Sequence, residues 1–292
     1  MQAPERKPTT ALVFDSSIEG IGDSLALVTL LGFHSKNEAR VTSVSVSRND
    51  LKAAAYCDSL CRFFGVQLSI GMSESGRAAD TVLPMISAVL ARQSEDGKPA
   101  YARRVERLNE TADPVALIRN ALSAQPDQNS VVVLAGKPEN LLGVLALPGS
   151  RDLIQKKVRS LVVTSVATGT AAFEKLLNSW PGTVVLATDE TLVSLRFPGA
   201  NLEEDFSWSA RHPLVDAYKA AGAMPYDAPA TAMAGVLYAV HPETPFFKAG
   251  PQGRHSQISL EPEQREPLLQ ALRQIVSTKP SEPRRGQQGP QP

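Results

Sequence analysis

The sequence predicts an α/β domain with a mainly parallel central sheet that helices cover on both faces. Short apolar runs typical of buried strands alternate with runs of helical periodicity along most of the chain. The chain has 292 residues, of which 42% are hydrophobic, so a substantial core can form. Residues 11–31 combine a strand, a polar loop and a helix start, an arrangement that places ligand sites at the carboxyl ends of strands.

The first half of the chain contains four predicted strands, which are apolar or rich in β-branched residues. They cover residues 11–14, 40–46, 66–70 and 130–135. Helical periodicity or a helix-start signal, such as Pro114 at a first-turn position, marks the helices between them. These helices are predicted over residues 23–31, 52–64, 80–92, 114–122 and 136–147. The charged, irregular segment 93–109 is predicted to be a loop.

The second half continues the same alternation. Strands are predicted over residues 158–164 and 183–187, with an edge strand within the turn-rich segment 245–259. Helices are predicted over residues 152–157, 171–179, 212–221, 229–240 and 261–276, and residues 197–205 look like a loop. The folded domain is therefore expected over residues 10–277. It follows a flexible segment, 1–9, and precedes a disordered tail rich in Pro, Gln, Arg and Gly, 278–292.

Composition excludes several classes of protein. Lys plus Arg and Asp plus Glu number 30 each, and no basic stripe is present, which argues against nucleic acid as a partner. No apolar run reaches the length of a membrane span. The polar N-terminus has no apolar signal region, so we expect a cytoplasmic protein as written, or an exported, periplasmic one if a signal peptide has been removed; the sequence leaves both open. Cys57 and Cys61 are expected to be buried helix residues, and no second Cys/His cluster completes a zinc pattern.

Four motifs follow one another along residues 10–277. The first three are Asp15-Ser-Ser17 with Gly22-Asp23-Ser-Leu-Ala-Leu27, then Gly136-Lys-Pro-Glu-Asn140, and then Gln155-Lys-Lys-Val158 with Leu161-Val-Val163. The closing motif is His212-Pro-Leu-Val-Asp-Ala-Tyr218, Met224-Pro-Tyr-Asp-Ala-Pro229 and Val236-Leu-Tyr-Ala-Val-His-Pro242. Together these motifs resemble the inosine-uridine-preferring nucleoside hydrolase family, and the last of them resembles a bacterial branch. Members of that family carry a strand ending in D-x-D, a loop and a D-D-A-x-A-L helix, then a buried strand with G-P-L-T-N, and then a helix, K-V and a buried strand.

The resemblance implies a mixed, mainly parallel sheet and a calcium ion at the carboxyl ends of its strands. That ion would bind two ribose hydroxyls and a water molecule, and a carboxylate would take a proton from the water. The water would then attack C1′ while the bond to the base breaks. The activity implied is hydrolysis of the N-glycosidic bond of nucleosides.

Most carboxylates that the resemblance requires are replaced in this chain. The expected ligand and base falls on Ser17, the first aspartate of the D-D pair on Gly22 and the last ligand on Ala232. Only Asp23 is retained as an acidic ligand, and Ala135 could still supply a backbone carbonyl. Calcium takes about 6–8 oxygen ligands, with several carboxylates among them. No metal is therefore expected, or only a weak site at Asp23 and the Ala135 carbonyl.

The ribose-contacting segment departs from the family pattern as well. Residues 165–170 are short and lack the Glu, Phe and Asn of the E-F-N-type segment. The family's Gly-Asn before the second helix falls near Asn49, and Asn140 closes the second motif. Candidate pocket residues are Ser17, Glu19, Gly22, Asn49, Asn140 and Ala232.

No residue stands out as a catalyst, although Asp15 and Asp23 are candidates. Asp23 also suits the positive end of a helix dipole, and Asp15 also suits a loop-bracing role. Asp227 resembles a turn or capping residue, and none of the four histidines is assigned to catalysis.

Three functional hypotheses remain open. The first is a degenerate nucleoside hydrolase with no cofactor and little or no hydrolysis of ribonucleosides. The second is an active nucleoside hydrolase with calcium and a rearranged site that uses Asp15, Asp23 and Glu19. The third is a non-catalytic module that binds a small molecule or a protein. The expected partner is a nucleoside or ribose-like molecule, and homo-oligomerisation is left open.

Overall fold

The structure is a computed structural model that describes residues 8–165, 169–250 and 255–281. Most of the predicted flexible segment 1–9 and of the predicted tail 278–292 lies outside the described residues. Residues 166–168 of the short segment 165–170 lie outside them too.

The described residues form an α/β domain around an eight-stranded sheet. In chain order the strands are β1 (Thr10–Ser16), β2 (Ala39–Val46), β3 (Ile70–Met72), β4 (Ser130–Ala135), β5 (Val158–Val163), β6 (Val184–Leu186), β7 (Arg196–Phe197), β8 (Ala228–Pro229), β9 (Phe247–Ala249) and β10 (His255–Leu260). The spatial order in the large sheet is β3-β2-β1-β4-β5-β6-β10-β9, and β7 pairs with β8 separately. Neighbours in the large sheet are parallel except β9, which runs antiparallel to β10. The predicted mixed, mainly parallel sheet is confirmed.

Helices connect the strands and lie on both faces of the sheet. In chain order they are α1 (Ile21–Ser35), α2 (Leu51–Phe63), α3 (Pro84–Leu90), α4 (Pro114–Ser123), α5 (Glu139–Ala146), α6 (Ser150–Lys157), α7 (Ala171–Ser179), α8 (Glu190–Val193), α9 (Leu202–Asp205), α10 (Pro213–Ala221), α11 (Thr231–Val240) and α12 (Arg265–Val276). None of the described helices is long and apolar enough to cross a membrane.

Both faces of the central strands are buried, as a parallel sheet with helices on each side requires. On β1, Leu12 and Phe14 join the core under α1 and α11, whereas Val13 faces the core formed with α4 to α7. Helix α1 also packs closely on α12: a Cβ at Gly32 would lie 2.2 Å from the Ile275 carbonyl oxygen. At the other end of α1, a Cβ at Gly22 would lie 2.8 Å from the Pro229 carbonyl oxygen, so the helix start is also closely packed.

Several predicted element bounds are wrong. The strand predicted over residues 66–70 starts only at Ile70, because the Val66 amide bonds the Cys61 carbonyl and completes the turn that ends α2. Helix α3 begins at Pro84 rather than residue 80, with proline at its first position. The edge strand expected in 245–259 is β9, and β10 lies inside the sheet between β6 and β9. The predicted loop 197–205 contains the short helix α9.

Candidate functional site

The candidate site is a cavity of about 330 Å³ where the carboxyl ends of β1, β4 and β5 meet the first turns of α1 and α11. We call it the carboxyl-end cavity. Its lining residues come from five segments of the chain and are mostly small or polar: Ser17, Glu19, Gly22, Asp23, Ala135, Gly136, Lys137, Thr164, Ser165, Phe173, Pro229, Thr231 and Ala232. Open α/β sheets bind ligands in this position.

The loop between β1 and α1 is held in an unusual conformation. Ile18 is fully buried and has a φ of 49°, in the left-handed region that β-branched residues rarely adopt. Its amide donates to Ser16 Oγ at 3.1 Å, and the Glu19 amide donates to Asp23 Oδ2 at 3.0 Å. Strained backbone of this kind costs about 1–3 kcal/mol and is typical of functional loops. The loop therefore holds a fixed shape at the edge of the cavity.

Asp23 lies in the first turn of α1 and folds back over this loop. One of its carboxylate oxygens accepts the Glu19 amide, so that oxygen is already used to hold the backbone. Burial raises the pKa of Asp23 to about 6, and the nearby Glu19 charge adds to the rise while hydrogen bonds oppose it. The carboxyl group therefore changes charge close to neutral pH.

Asp15 is fully buried directly before the cavity, in β1. Its Oδ1 atom accepts hydrogen bonds from Ser45 Oγ at 2.7 Å and Asn140 Nδ2 at 2.9 Å. Its Oδ2 atom is buried with no hydrogen-bond partner among the described residues. Burial raises the pKa of Asp15 to about 7, although these two bonds favour the ionised form. Asp15 ties β2 and α5 to β1.

Gly136 is required where the ends of β1, β2 and β4 meet. A Cβ at this position would lie 2.3 Å from both the Ser17 amide nitrogen and Ser47 Oγ. Ser47 Oγ lies 3.3 Å from Ser17 Oγ and accepts the Lys137 amide at 2.9 Å. The floor of the cavity is thus made of backbone and hydroxyl groups in close contact, without space for larger side chains.

The mouth of the cavity carries an exposed pair of opposite charges. Lys137 Nζ lies 3.9 Å from Glu19 Oε1, and both side chains are more than half exposed. On the opposite wall, Thr231 Oγ1 donates to the Leu192 carbonyl at 3.0 Å and fixes the start of α11.

The structure brings most of the sequence-predicted site residues together. Ser17, Glu19, Gly22, Asp23, Ala135 and Ala232 all line the carboxyl-end cavity. Asn140 does not line it, since its amide bonds Asp15 in the buried network. Asn49 does not line it either: its amide donates to the carbonyls of Glu74 and Gly76.

The cavity is also lined by Lys137, Thr164, Phe173 and Thr231, which the sequence did not mark as site residues. Lys137 stands inside the Gly136-Lys-Pro-Glu-Asn140 motif, where the family pattern has proline, and that difference was the available signal. The other three come from separate segments that only the fold brings together.

The histidine of the closing motif belongs to the core. His212 Nδ1 accepts the Leu214 amide at 3.1 Å at the start of α10, and its ring packs on Phe63 and Phe206. Burial lowers the pKa of His212 to about 3, so the ring is neutral at physiological pH.

The oxygen donors of the cavity match calcium poorly. Asp23 and Glu19 are its carboxylates, one bonded to backbone and the other at the mouth beside Lys137. In the described part of the chain, no group of three or more His, Cys, Asp or Glu side chains is placed to hold a metal ion. Calcium ordinarily needs several carboxylates among about 6–8 oxygen ligands.

No protein-family model and no curated protein sequence matches the chain. Solved structures do match. An inosine-guanosine nucleoside hydrolase superposes with a TM-score of 0.65 at 15% identity, over 92% of this chain and 99% of that one. The chain has the fold of the nucleoside hydrolases.

Two further structures extend this likeness. A purine-preferring ribonucleoside hydrolase from Gardnerella vaginalis gives a TM-score of 0.64 at 13% identity, over 91% of this chain and 98% of that one. The type III effector protein XopQ, whose structure is a complex with adenosine diphosphate ribose, gives a TM-score of 0.65 at 12% identity, over 93% of this chain and 95% of that one. At these identities the comparison shows the nucleoside-hydrolase-like fold alone.

Proposed function

We propose that this nucleoside-hydrolase-like protein binds a nucleoside or ribose-like molecule in the carboxyl-end cavity, holds no calcium there, and cleaves N-glycosidic bonds weakly or not at all. The observation that carries the proposal is the donor set of the cavity. Ser17, Gly22 and Ala232 line it at the positions where the resemblance expects acidic residues.

The lining chemistry supports recognition of a sugar. Hydroxyl groups of Ser17 and Thr164 and the Asp23 carboxyl offer both donors and acceptors to ribose hydroxyls. Phe173 and Pro229 add apolar surface suited to a planar base. A volume of about 330 Å³ lies within the range of small-molecule sites.

The same lining predicts slow chemistry. Without a calcium ion the ribose hydroxyls lose a rigid template, and without a carboxylate at position 17 the attacking water loses its base. Loss of a positioned general base alone commonly costs about 10²–10⁴ in rate. The fold can therefore retain binding while turnover falls.

A second candidate function is an active hydrolase with a rearranged site. It is favoured by the pKa of Asp15, raised to about 7, and that of Asp23, raised to about 6, both by burial. Groups that titrate near neutral pH are well suited to act as a general base. Asp23 lines the cavity itself, whereas Asp15 lies behind it in the buried network.

The experiment that separates the two is a turnover assay with inosine, uridine and a nitrophenyl riboside, paired with melting temperatures measured with and without each compound. The proposal predicts a ligand-dependent rise in melting temperature without appreciable turnover. Asp23→Asn should reduce this rise, while Asp152→Asn, at an exposed first-turn aspartate of α6, should leave it unchanged.

The second candidate, an active hydrolase, would be supported instead if the wild type and Asp152→Asn cleave one of these compounds and Asp23→Asn does not. If none of the compounds changes the melting temperature and none is cleaved, the proposed binding of nucleosides is wrong.

A further inference from the structure

A second cavity, of about 380 Å³, lies at the opposite end of the sheet. It is formed by the first residues of β5, the residue before β6, the start of β10 and the last turn of α11. We call it the amino-end cavity. Its polar lining residues are Arg159, Ser160, Thr183, Tyr238 and Ser256. None of its residues lines the carboxyl-end cavity, so the two sites are independent.

A β-bulge directs Arg159 into this cavity. Ser130 of β4 pairs with Val158 and the next residue, Val131, pairs with Ser160, so Arg159 is an extra residue without a partner in the ladder. Neighbouring residues of a regular strand point to opposite faces. Because the bulge interrupts that alternation, Arg159 and Ser160 line the same cavity.

The Arg159 guanidinium makes few polar contacts with the described residues. One nitrogen, Nη2, donates to the Ala239 carbonyl in the last turn of α11 at 3.0 Å. No ion pair joins Arg159 to any described carboxylate. The charge of Glu243 acts on Arg159 and raises its pKa, but this side chain is largely exposed and its Oε1 atom lies 3.4 Å from His241 Nδ1. Burial lowers the pKa of Arg159, as expected for a half-buried cation without a matching anion.

The hydroxyl groups around Arg159 are available as donors. Neither Ser160 Oγ nor Thr183 Oγ1 has a hydrogen-bond partner within the described residues, and Ser256 Oγ makes only a long contact of 3.5 Å with the Val184 carbonyl. A guanidinium fork beside several hydroxyl donors matches the geometry of a carboxylate or phosphate group.

We propose that the amino-end cavity binds the oxyanion group of a small anionic metabolite, with Arg159 as the charged anchor and Ser160 and Thr183 as further donors. The volume of the cavity exceeds that of a bare ion, and Val185 and the ring of Tyr238 add apolar surface to its lining. The ligand is therefore a small organic anion rather than an inorganic ion alone.

The test is calorimetric titration of the full chain with phosphate and with succinate, at constant ionic strength and with glycerol as a neutral control. We expect saturable binding of at least one anion and none of glycerol. Tighter binding of phosphate would identify a phosphate ester as the ligand class, and tighter binding of succinate a carboxylic acid.

Variants decide whether the cavity is responsible. Arg159→Gln should weaken binding by about tenfold or more, because it removes a charge-assisted contact. Thr183→Val leaves the Arg159–Ala239 bond in place and should weaken binding by about three- to tenfold. The matched control is Arg151→Gln, which removes the same charge from an exposed position on α6 and should change nothing.

Three results would overturn the proposal: no saturable binding of either anion, unchanged binding in Arg159→Gln, or an equal loss in Arg151→Gln and Arg159→Gln. The last would mean that net charge alone attracts the anion.

Discussion

The two ends of the central sheet carry opposite kinds of buried charge. At the carboxyl end, Asp15 and Asp23 are carboxyl groups whose pKa burial raises towards neutrality, set among tightly packed backbone and hydroxyl groups. At the amino end, Arg159 is a half-buried cation whose pKa burial lowers, and the Ser160 and Thr183 hydroxyls beside it have no hydrogen-bond partner among the described residues. Helix α11 joins the two, since its first turn lines one cavity and its last turn the other. The fold itself engages the Asp15 Oδ1 atom and the Asp23 Oδ2 atom at the carboxyl end, although Asp15 Oδ2 has no partner among the described residues. The hydroxyl groups beside Arg159 make fewer contacts with the protein.

The largest expected effect is at the carboxyl end, where the charge state of Asp15 should make the free energy of unfolding depend on pH. The folded pKa of Asp15, about 7, lies above the ordinary value of 3.8. Its contribution to stability is therefore fully present below about pH 4 and is lost as the pH rises through 7. Asp15→Asn mimics the protonated form. The free energy of unfolding of the variant should therefore equal that of the wild type near pH 4 and exceed it at pH 8 by up to roughly 4 kcal/mol. Urea unfolding at both pH values measures this.

Asp152→Asn is the control for that comparison, because it makes the same side-chain change at an exposed position on α6. Greater stability of the wild type than of Asp15→Asn at pH 8 would show that the fold favours an ionised carboxylate at position 15. The raised pKa assigned to Asp15 would then be wrong.

The next effect tests the tight packing beneath the carboxyl-end cavity. Gly136→Ala places a Cβ 2.3 Å from the Ser17 amide nitrogen and from Ser47 Oγ, so the strand ends must separate. Overpacking of this kind typically costs about 1–3 kcal/mol, and fixed backbone neighbours favour the upper value. The matched control is Gly20→Ala, because a Cβ there would meet nothing within 4 Å. Chemical denaturation should show little change in the free energy of unfolding for this control. Equal stability of the two variants would contradict the packing described.

The smallest expected change in the free energy of unfolding is at the amino end of the sheet, where Arg159 lies. Within the part of the chain that the structure describes, Arg159→Gln removes one hydrogen bond to the Ala239 carbonyl and no ion pair, so the free energy of unfolding should fall by only about 1 kcal/mol. Thermal unfolding between pH 5 and pH 8 should show the same small difference throughout, since the guanidinium stays charged over that range. A loss as large as that of Gly136→Ala would mean that Arg159 is structural.

The sequence predicts the fold and the place of the site because both depend on local patterns. The apolar run before Asp15 and the acidic start of α1 are visible within twenty residues, and they locate the loop that lines the cavity. The bond from Asn140 to Asp15 joins residues 125 positions apart, and no periodicity reveals it. The cavity at Arg159 depends on a strand register and on a bulge, which single-sequence patterns do not contain.

The most direct test of the central claim is calcium binding by the full chain, measured by elemental analysis after purification in calcium-containing buffer and by melting temperature with calcium or a chelator. We expect far less than one calcium ion per chain and the same melting temperature with calcium and with the chelator. Two results together would contradict the proposal that serine, glycine and alanine have replaced the acidic metal ligands. The first is about one calcium ion per chain, and the second is a melting temperature that a chelator lowers in the wild type but not in Asp23→Asn.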